Sequence, residues 1–106
     1  MMTEREREAA ANVLRAIAHP VRLGVLEILA GGERTVSQLY RDLNCSQSMM
    51  SRQLERLETQ GLISTRKVGA TKYCSLRNPG ITNLFGCMQA HLHDYLRLQI
   101  EDAPAR

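Results

Sequence analysis

The chain has no tryptophan, a single phenylalanine and three tyrosines in 106 residues. So short and aromatic-poor a chain has little left over to wall a deep pocket, which counts against a multi-substrate enzyme. No glycine-rich nucleotide loop, catalytic-triad spacing or complete metal site is visible, so no enzymatic activity is expected. No apolar run approaches the roughly 20 residues that cross a bilayer, which excludes a transmembrane helix and makes a membrane an unexpected partner. The opening stretch, Met-Met-Thr-Glu-Arg-Glu-Arg-Glu, lacks the apolar segment of a secretory signal. The three cysteines, Cys45, Cys74 and Cys87, are scattered and form no C-x-x-C pair. An odd count without a signal argues against a secreted disulfide scaffold, so reduced thiols in the cytoplasm are expected.

What is present is ordinary in amount and informative in placement. Apolar residues make up 43% and charged residues 24%, the composition of a globular domain. We read a single domain over 1–106, with its core at about 11–96 and a frayed tail at 101–106. The formal charge is +3. Between Arg34 and Arg77, however, eight basic residues face three acidic ones, while the rest of the chain is slightly acidic. A basic middle on a small domain suggests an anionic partner, nucleic acid first, although a plain solvated surface would read the same on charge alone.

Periodicity predicts a mostly helical fold with one small β-hairpin. Residues 4–18 are rich in helix formers and carry Ala9, Ala10, Val13, Leu14 and Ile17 at helical spacing. Pro20 suits the first position of a second helix, which buries Val21, Leu23, Val25, Leu26, Ile28 and Leu29 and ends at Gly31-Gly32. Thr35 or Ser37 starts a short third helix with Val36, Leu39, Tyr40 and Leu43 inward. Asn44-Cys45 breaks it. Ser46 caps a fourth helix that closes at Gly61. Leu62–Lys67 and Thr71–Leu76 read as strands joined through Val68-Gly69-Ala70. After Asn78-Pro79-Gly80 comes a long last helix, with Ile81, Leu84, Phe85, Met88, Leu92, Tyr95 and Leu96 in one stripe.

Two short helices across a tight break, then a basic hairpin, make a winged helix-turn-helix. In such a pair the second helix enters the major groove and reads base edges from its N-terminal half. Met50, Leu54 and Leu57 at i, i+4, i+7 must face inward. The opposite face then presents Ser48, Arg52, Glu55 and Thr59, with Ser51 beside it. Gln47, Ser48, Ser51 and Arg52 therefore become candidate DNA contacts. Arg66, Lys67 and Lys72, around the hairpin turn, become candidate phosphate or minor-groove contacts. The first and last helices carry more apolar stripe than so small a core absorbs, which predicts a homodimer built through them. A two-fold dimer would offer two recognition helices to an inverted-repeat operator in double-stranded DNA. The rival reading is a winged-helix protein-interaction module without DNA binding. Ser51, Arg52 and the basic hairpin favour DNA, because a protein-binding wing has no need of that charge.

The runs LRAIAHPVRLGVLEIL and TVSQLYRDLNCSQSMMSRQLERLETQGLISTRKVGATKYCSL resemble the ArsR/SmtB family of bacterial winged-helix repressors. The resemblance rests on His19-Pro20-Val21-Arg22-Leu23 and on Ser51, Leu54, Leu57, Gly61, Leu62, Ile63, Gly69 and Tyr73, and it spans about residues 11–96. It implies a homodimeric repressor that leaves its operator when an effector binds. It also implies places to look for a sensor, and here this chain departs from the family. The Cys-x-Cys expected near the third helix is replaced by Glu33-Arg34-Thr35-Val36-Ser37. The Asp-x-His expected before the last helix is replaced by Asn78-Pro79-Gly80. What survives of that second site is His91 and Asp94, half of the roughly four ligands that zinc takes.

Cys87, His91 and Asp94 nevertheless follow one another at i, i+4, i+7, ligand types at ligand spacing. They form a candidate metal set, against the plainer reading in which Cys87 is a small buried hydrophobe and the histidines are surface groups. Cys45, just before the recognition helix, is the candidate for a chemically responsive thiol, since a helix N-terminus favours thiolate. Cys45 and Cys87 are thus the candidate effector-sensing residues. A soft metal, a metalloid or a thiol-reactive species would be the effector, with no cofactor required for the fold. Cys74, in the second wing strand, is expected to pack.

Overall fold

The computed structural model describes the backbone of residues 1–101 and the side chains of residues 1–97. Among the described residues there are five helices and a three-stranded sheet: α1 (Glu4–Ile17), α2 (Pro20–Leu29), β1 (Arg34–Thr35), α3 (Val36–Asp42), α4 (Gln47–Thr59), β2 (Ile63–Val68), β3 (Thr71–Leu76) and α5 (Asn83–Glu101), with a 3-10 turn at Pro79–Thr82 before α5. The helix boundaries are set by local chemistry. Thr3 opens α1 with a capping box, its hydroxyl accepting from the Glu6 N–H while the Glu6 carboxylate accepts from the Thr3 N–H. At the head of α2 the His19 imidazole is the cap, its Nδ1 accepting from the Val21 N–H at 3.1 Å, with Pro20 behind it. Thr35 and Gln38 form a second capping box on α3. Ser46 caps α4 through the Met49 N–H at 3.1 Å.

The core gathers Ala16 and Ile17 from α1, Val25, Leu26 and Leu29 from α2, Leu39 from α3, Met50, Leu54 and Leu57 from α4, and Leu62, Ile63 and Cys74 from the hairpin region. The predicted inward face of α4 is therefore the buried one. Helix α2 lies so close to the end of α3 that a Cβ on Gly24 would meet the Leu43 side chain at 2.6 Å. Any larger residue there would oblige the Leu43 side chain to shift.

Several expectations are corrected. The sheet has three strands in the order β1-β3-β2, all antiparallel, and not two. The two residues of β1 pair with Tyr73 and Cys74, tying the start of α3 to the wing. The first wing strand runs one residue later than expected, which leaves a two-residue turn, Gly69-Ala70, with Gly69 at φ 60°. Leu23, expected to be buried, is exposed, and so is Leu14 of the first helix's apolar stripe. Of the residues expected inward on α3, only Leu39 is fully buried, with Val36, Tyr40 and Leu43 packed against the core's edge. Ile81 belongs to the 3-10 turn and not to the last helix. Glu101 is still helical, and the remainder of the tail expected to fray, 102–106, lies outside the described residues.

Candidate nucleic-acid interface

The turn between α3 and α4 is short and well determined. Asn44 adopts a left-handed backbone, φ 51°, which asparagine tolerates better than most residues. The Cys45 N–H closes the turn onto the Tyr40 carbonyl at 3.0 Å. Ser46 then caps α4, and Gln47, Ser48, Ser51 and Arg52 all emerge exposed on its outer side, as the periodicity requires.

The structure divides these four residues between different surroundings. Gln47 and Ser51 join Thr35, Ser37, Lys67, Thr71 and Lys72 around a groove of about 350 Å³ between the head of α4, the head of α3 and the wing. No acidic residue lines it. Ser48 stands at the cap, its hydroxyl 3.4 Å from that of Ser46. Arg52 turns to the opposite flank of α4 and lines a second groove, of about 580 Å³, shared with α1. Ser51 and Lys72 also border a third hollow containing Glu55 and Glu58, further along the helix.

The wing residues divide too. Lys67 and Lys72 are directly paired across β2 and β3, so two like charges face one another at the exposed end of the hairpin. Cross-strand like charges are unfavourable by themselves. An anion seated beside them removes the penalty.

Arg66 is otherwise engaged. From β2 its guanidinium crosses the Tyr73 ring on β3, 4.5 Å from the centroid, and makes a bidentate pair with Glu33 at 2.7 and 3.0 Å. That pair holds the Glu33 carboxyl below its ordinary range and raises Arg66 in turn. Arg66 thus spans the sheet from β2 to the residue preceding β1, bracing the wing. In the sequence Arg66 reads as a free cation, because nothing local marks a partner 33 positions away.

A second functional feature was missed. Arg22, in the middle of α2, is buried, with 8% of its surface exposed. Its Nη1 donates to Gln53 Oε1 on α4 at 2.7 Å and its Nη2 to the Arg15 carbonyl on α1 at 3.4 Å. Its Nε is buried without a partner among the described residues. Burial first, and then the charge of Arg56, lower its pKa below the ordinary arginine value. Among these residues it joins α1, α2 and the recognition helix, and the only hint in the sequence was its place in the His19–Leu23 motif.

The candidate sensor residues stand apart in character. Cys45 is half-buried against the core's edge, Cys74 is fully buried, and Cys87 is exposed on α5. The reading of Cys87 as a buried hydrophobe is therefore corrected. Burial pushes the Cys74 thiol up to about 11, so it stays protonated and unreactive at neutral pH. On α5 His91 stacks with Tyr95, and Asp94 accepts from Arg97 at 3.4 Å. Among the described residues of one chain, no three His, Cys, Asp or Glu side chains are grouped so as to hold a metal ion. Cys87, His91 and Asp94 share a helix without forming such a group.

A cap-and-turn pair of helices, an exposed polar recognition face and a two-lysine wing define a winged helix-turn-helix of the DNA-binding kind. Comparison with known proteins gives the family. The model of bacterial regulatory proteins of the arsR family matches residues 19–65. The nodulation protein NolR of Rhizobium meliloti is 35% identical over 83 residues, covering 78% of this chain and 68% of NolR. A transcriptional repressor SmtB homolog of Synechocystis is 32% identical over 94 residues, covering 89% of this chain and 71% of that protein. In fold, the chain matches the homodimeric winged helix-turn-helix DNA-binding domain of a possible ArsR-family regulator from Mycobacterium bovis, with TM-score 0.74 and 24% identity over 98% of this chain and 97% of that one. The chain belongs to the arsR family and is a transcriptional regulator of the winged helix-turn-helix class. Among the described residues no helix is long and apolar enough to cross a membrane.

Proposed function

We propose that the protein is a homodimeric repressor that binds an inverted-repeat operator through the wing-side groove. The observation that carries this reading is the acid-free groove at the head of α4, with Lys67 and Lys72 set against each other at its rim. Gln47, Ser48 and Ser51 supply short hydrogen-bonding groups for base edges and phosphates, and the two lysines supply phosphate contacts. Arg66 keeps the wing in position. The dimer rests on an apolar surface that one chain leaves uncovered: Leu14 on α1, and Met88, Leu92, Tyr95 and Leu96 on α5. The Mycobacterium bovis domain is described as homodimeric, and the Synechocystis relative as a repressor.

The test is binding to duplexes from the protein's own promoter across a salt series. The expected outcome is a dimer on an inverted repeat, with log K falling against log salt by about 0.9 per phosphate contacted. Lys67→Ala and Lys72→Ala should each weaken all duplexes alike and flatten that slope, whereas Gln47→Ala and Ser51→Ala should cost most on the cognate sequence. Binding indifferent to salt would overturn the proposal in favour of a protein-binding wing.

For release from the operator, we assign the sensing role to thiol chemistry at Cys87, with Cys45 second. Cys87 is exposed on the helix that carries the proposed dimer face, and Cys45 sits in the turn that aims α4. The effector class is a thiol-reactive species or a soft metal or metalloid. Loss of operator release by arsenite, cadmium, peroxide or persulfide in Cys87→Ser or Cys45→Ser supports the assignment. Full retention of every response in the double variant removes it.

A further inference from the structure

The flank of α4 away from the wing has an organisation of its own. The groove between α1 and α4 is lined by Arg15, Arg52 and Arg56, with Glu55 as the one acidic group on its wall. Arg52 and Arg56 are four apart on one helix, a spacing at which like charges repel. Arg22 is bonded to both walls, to Arg15 on one side and to Gln53 on the other, and keeps a buried Nε without a partner. Three arginines thus line the groove, Arg15 with its Nη1 donating to Asn12 Oδ1 at 2.6 Å, and a fourth, Arg22, is buried between its walls. Among the described residues none of the four forms an ion pair with a carboxylate.

Helix dipoles account for part of this. Arg15 and Arg56 stand in the last turns of their helices, where a cation is favoured. That argument does not reach Arg52, in the first half of α4, nor Arg22, which is buried at the cost of desolvation. Arg52 lines the groove, and Arg22, outside its lining, ties its two walls together. Guanidiniums are also the side chains best matched to phosphate, which they bind in bidentate fashion.

We propose that the α1–α4 groove is a phosphate site, separate from the wing-side groove. The phosphate group comes either from the DNA backbone flanking the major groove that α4 reads or from a free phosphorylated small molecule. In both cases it bridges α1, a helix of the proposed dimer face, to the recognition helix, and relieves the repulsion between Arg52 and Arg56. The DNA source rests on the operator reading given above. The free source does not.

The experiment uses the full chain with Arg15→Gln and Arg56→Gln, both exposed positions outside the wing-side groove, and with Arg15→Lys and Arg56→Lys as charge-keeping controls. Pyrophosphate is titrated calorimetrically at low ionic strength, and duplex binding is measured over a salt series. If pyrophosphate binds the wild type and the glutamine variants weaken it tenfold or more, the site is confirmed with a free anion as its source. If pyrophosphate does not bind but each glutamine variant lowers the salt slope by about 0.9 while the lysine variants keep it, the site is confirmed with the DNA backbone as its source. Glutamine variants that match the wild type in both measurements overturn the proposal. Should the wild type bind no DNA at all, the operator reading fails by itself and the pyrophosphate titration alone decides this one, a flat titration overturning it.

Discussion

The two flanks of the recognition helix handle positive charge in different ways. On the wing side two lysines face each other across a hairpin, at the rim of a groove with no acidic lining, beside hydroxyl and amide groups. On the α1 side three arginines line a groove, and a fourth is buried and hydrogen-bonded between the walls. Lysine is a compact, hydrated charge on a flexible stem, suited to a backbone met at varying angles. Arginine is a planar fork that fixes geometry. On the proposed reading the wing flank suits an adjustable contact, and the α1 flank one that locks one helix against another.

Helix α4 is the wall common to both grooves, and the largest effect comes from loosening it. Leu57 is fully buried and belongs to the core that α4 shares with α2 and the hairpin. Leu57→Ala should cost about 2–5 kcal/mol, a large share of a domain this size. Urea melts check the loss. Binding on both flanks should fail together, because both grooves lose the same wall.

The next effect is confined to one flank. Gln53→Leu removes the acceptor of Arg22 Nη1 beside an Nε that already lacks one, and should cost about 1.5–3 kcal/mol. Adding Arg22→Met should recover part of that loss, since a buried cation without an acceptor is worse than a methionine of similar reach. Denaturation of the two single variants and the double variant gives the coupling energy. The wing-side salt contribution of Lys67 and Lys72 should be unchanged throughout.

How far the sequence revealed this arrangement differs between the flanks. The wing side was legible because its signals are local. Met50, Leu54 and Leu57 set the face of α4, Ser46 and Gly61 set its ends, and Lys67 and Lys72 stand beside a glycine turn. The α1 side was not, because its determinants act over long separations. Arg22 finds Gln53 31 positions on, and a guanidinium inside a helix reads as surface until its partners are known. The same holds for Arg66, whose local context is a basic strand end and whose actual partner is Glu33. Strand β1 escaped notice because two residues carry no periodicity. The exposure of Cys87 depends on how little of α5 the core covers, which helical spacing along α5 could not tell. Arg52 was placed on the correct face of α4, but periodicity gives a direction around a helix and not the neighbour that fills it.

Beneath the wing, Cys74 supplies a titration that tests how dry that side of the core is. Its thiol titrates near 11 in the folded chain and near 9 when unfolded, because burial disfavours the thiolate. Between those values the unfolded chain has lost a proton that the folded chain retains. Stability therefore falls as pH rises from 9 to 11, by up to about 2 kcal/mol, and is insensitive to this group below 9. Cys74→Val keeps the volume and a strand-favouring shape while removing the titration. The stability difference between variant and wild type should shift in favour of the variant across that window, read by urea melts at pH 8, 9, 10 and 11. A flat difference would mean that water reaches β3 from the wing-side groove.

The smallest effect concerns the brace that lets the wing stay where its lysines are useful. Glu33 and Arg66 are both well exposed, so the pair adds little to global stability. Its importance is geometric. The guanidinium passes over Tyr73 on the central strand and ends at the residue before β1, so one side chain ties the outer wing strand to the head of α3. Because the Glu33 carboxyl titrates below its ordinary range, the tie is complete above that range and is lost as pH falls through the depressed folded-state value. Glu33→Gln should remove this acid sensitivity while barely moving the urea midpoint at neutral pH. Its signature should appear in the wing itself: faster amide exchange at the Gly69-Ala70 turn and along β2, with α4 unchanged. DNA affinity should fall modestly and through a faster off-rate, since the lysines keep their charge and lose only their fixed position. If the wing amides of Glu33→Gln exchange as in the wild type, the β1 pairing alone positions the wing, and Arg66 returns to the pool of cations that could meet a phosphate directly.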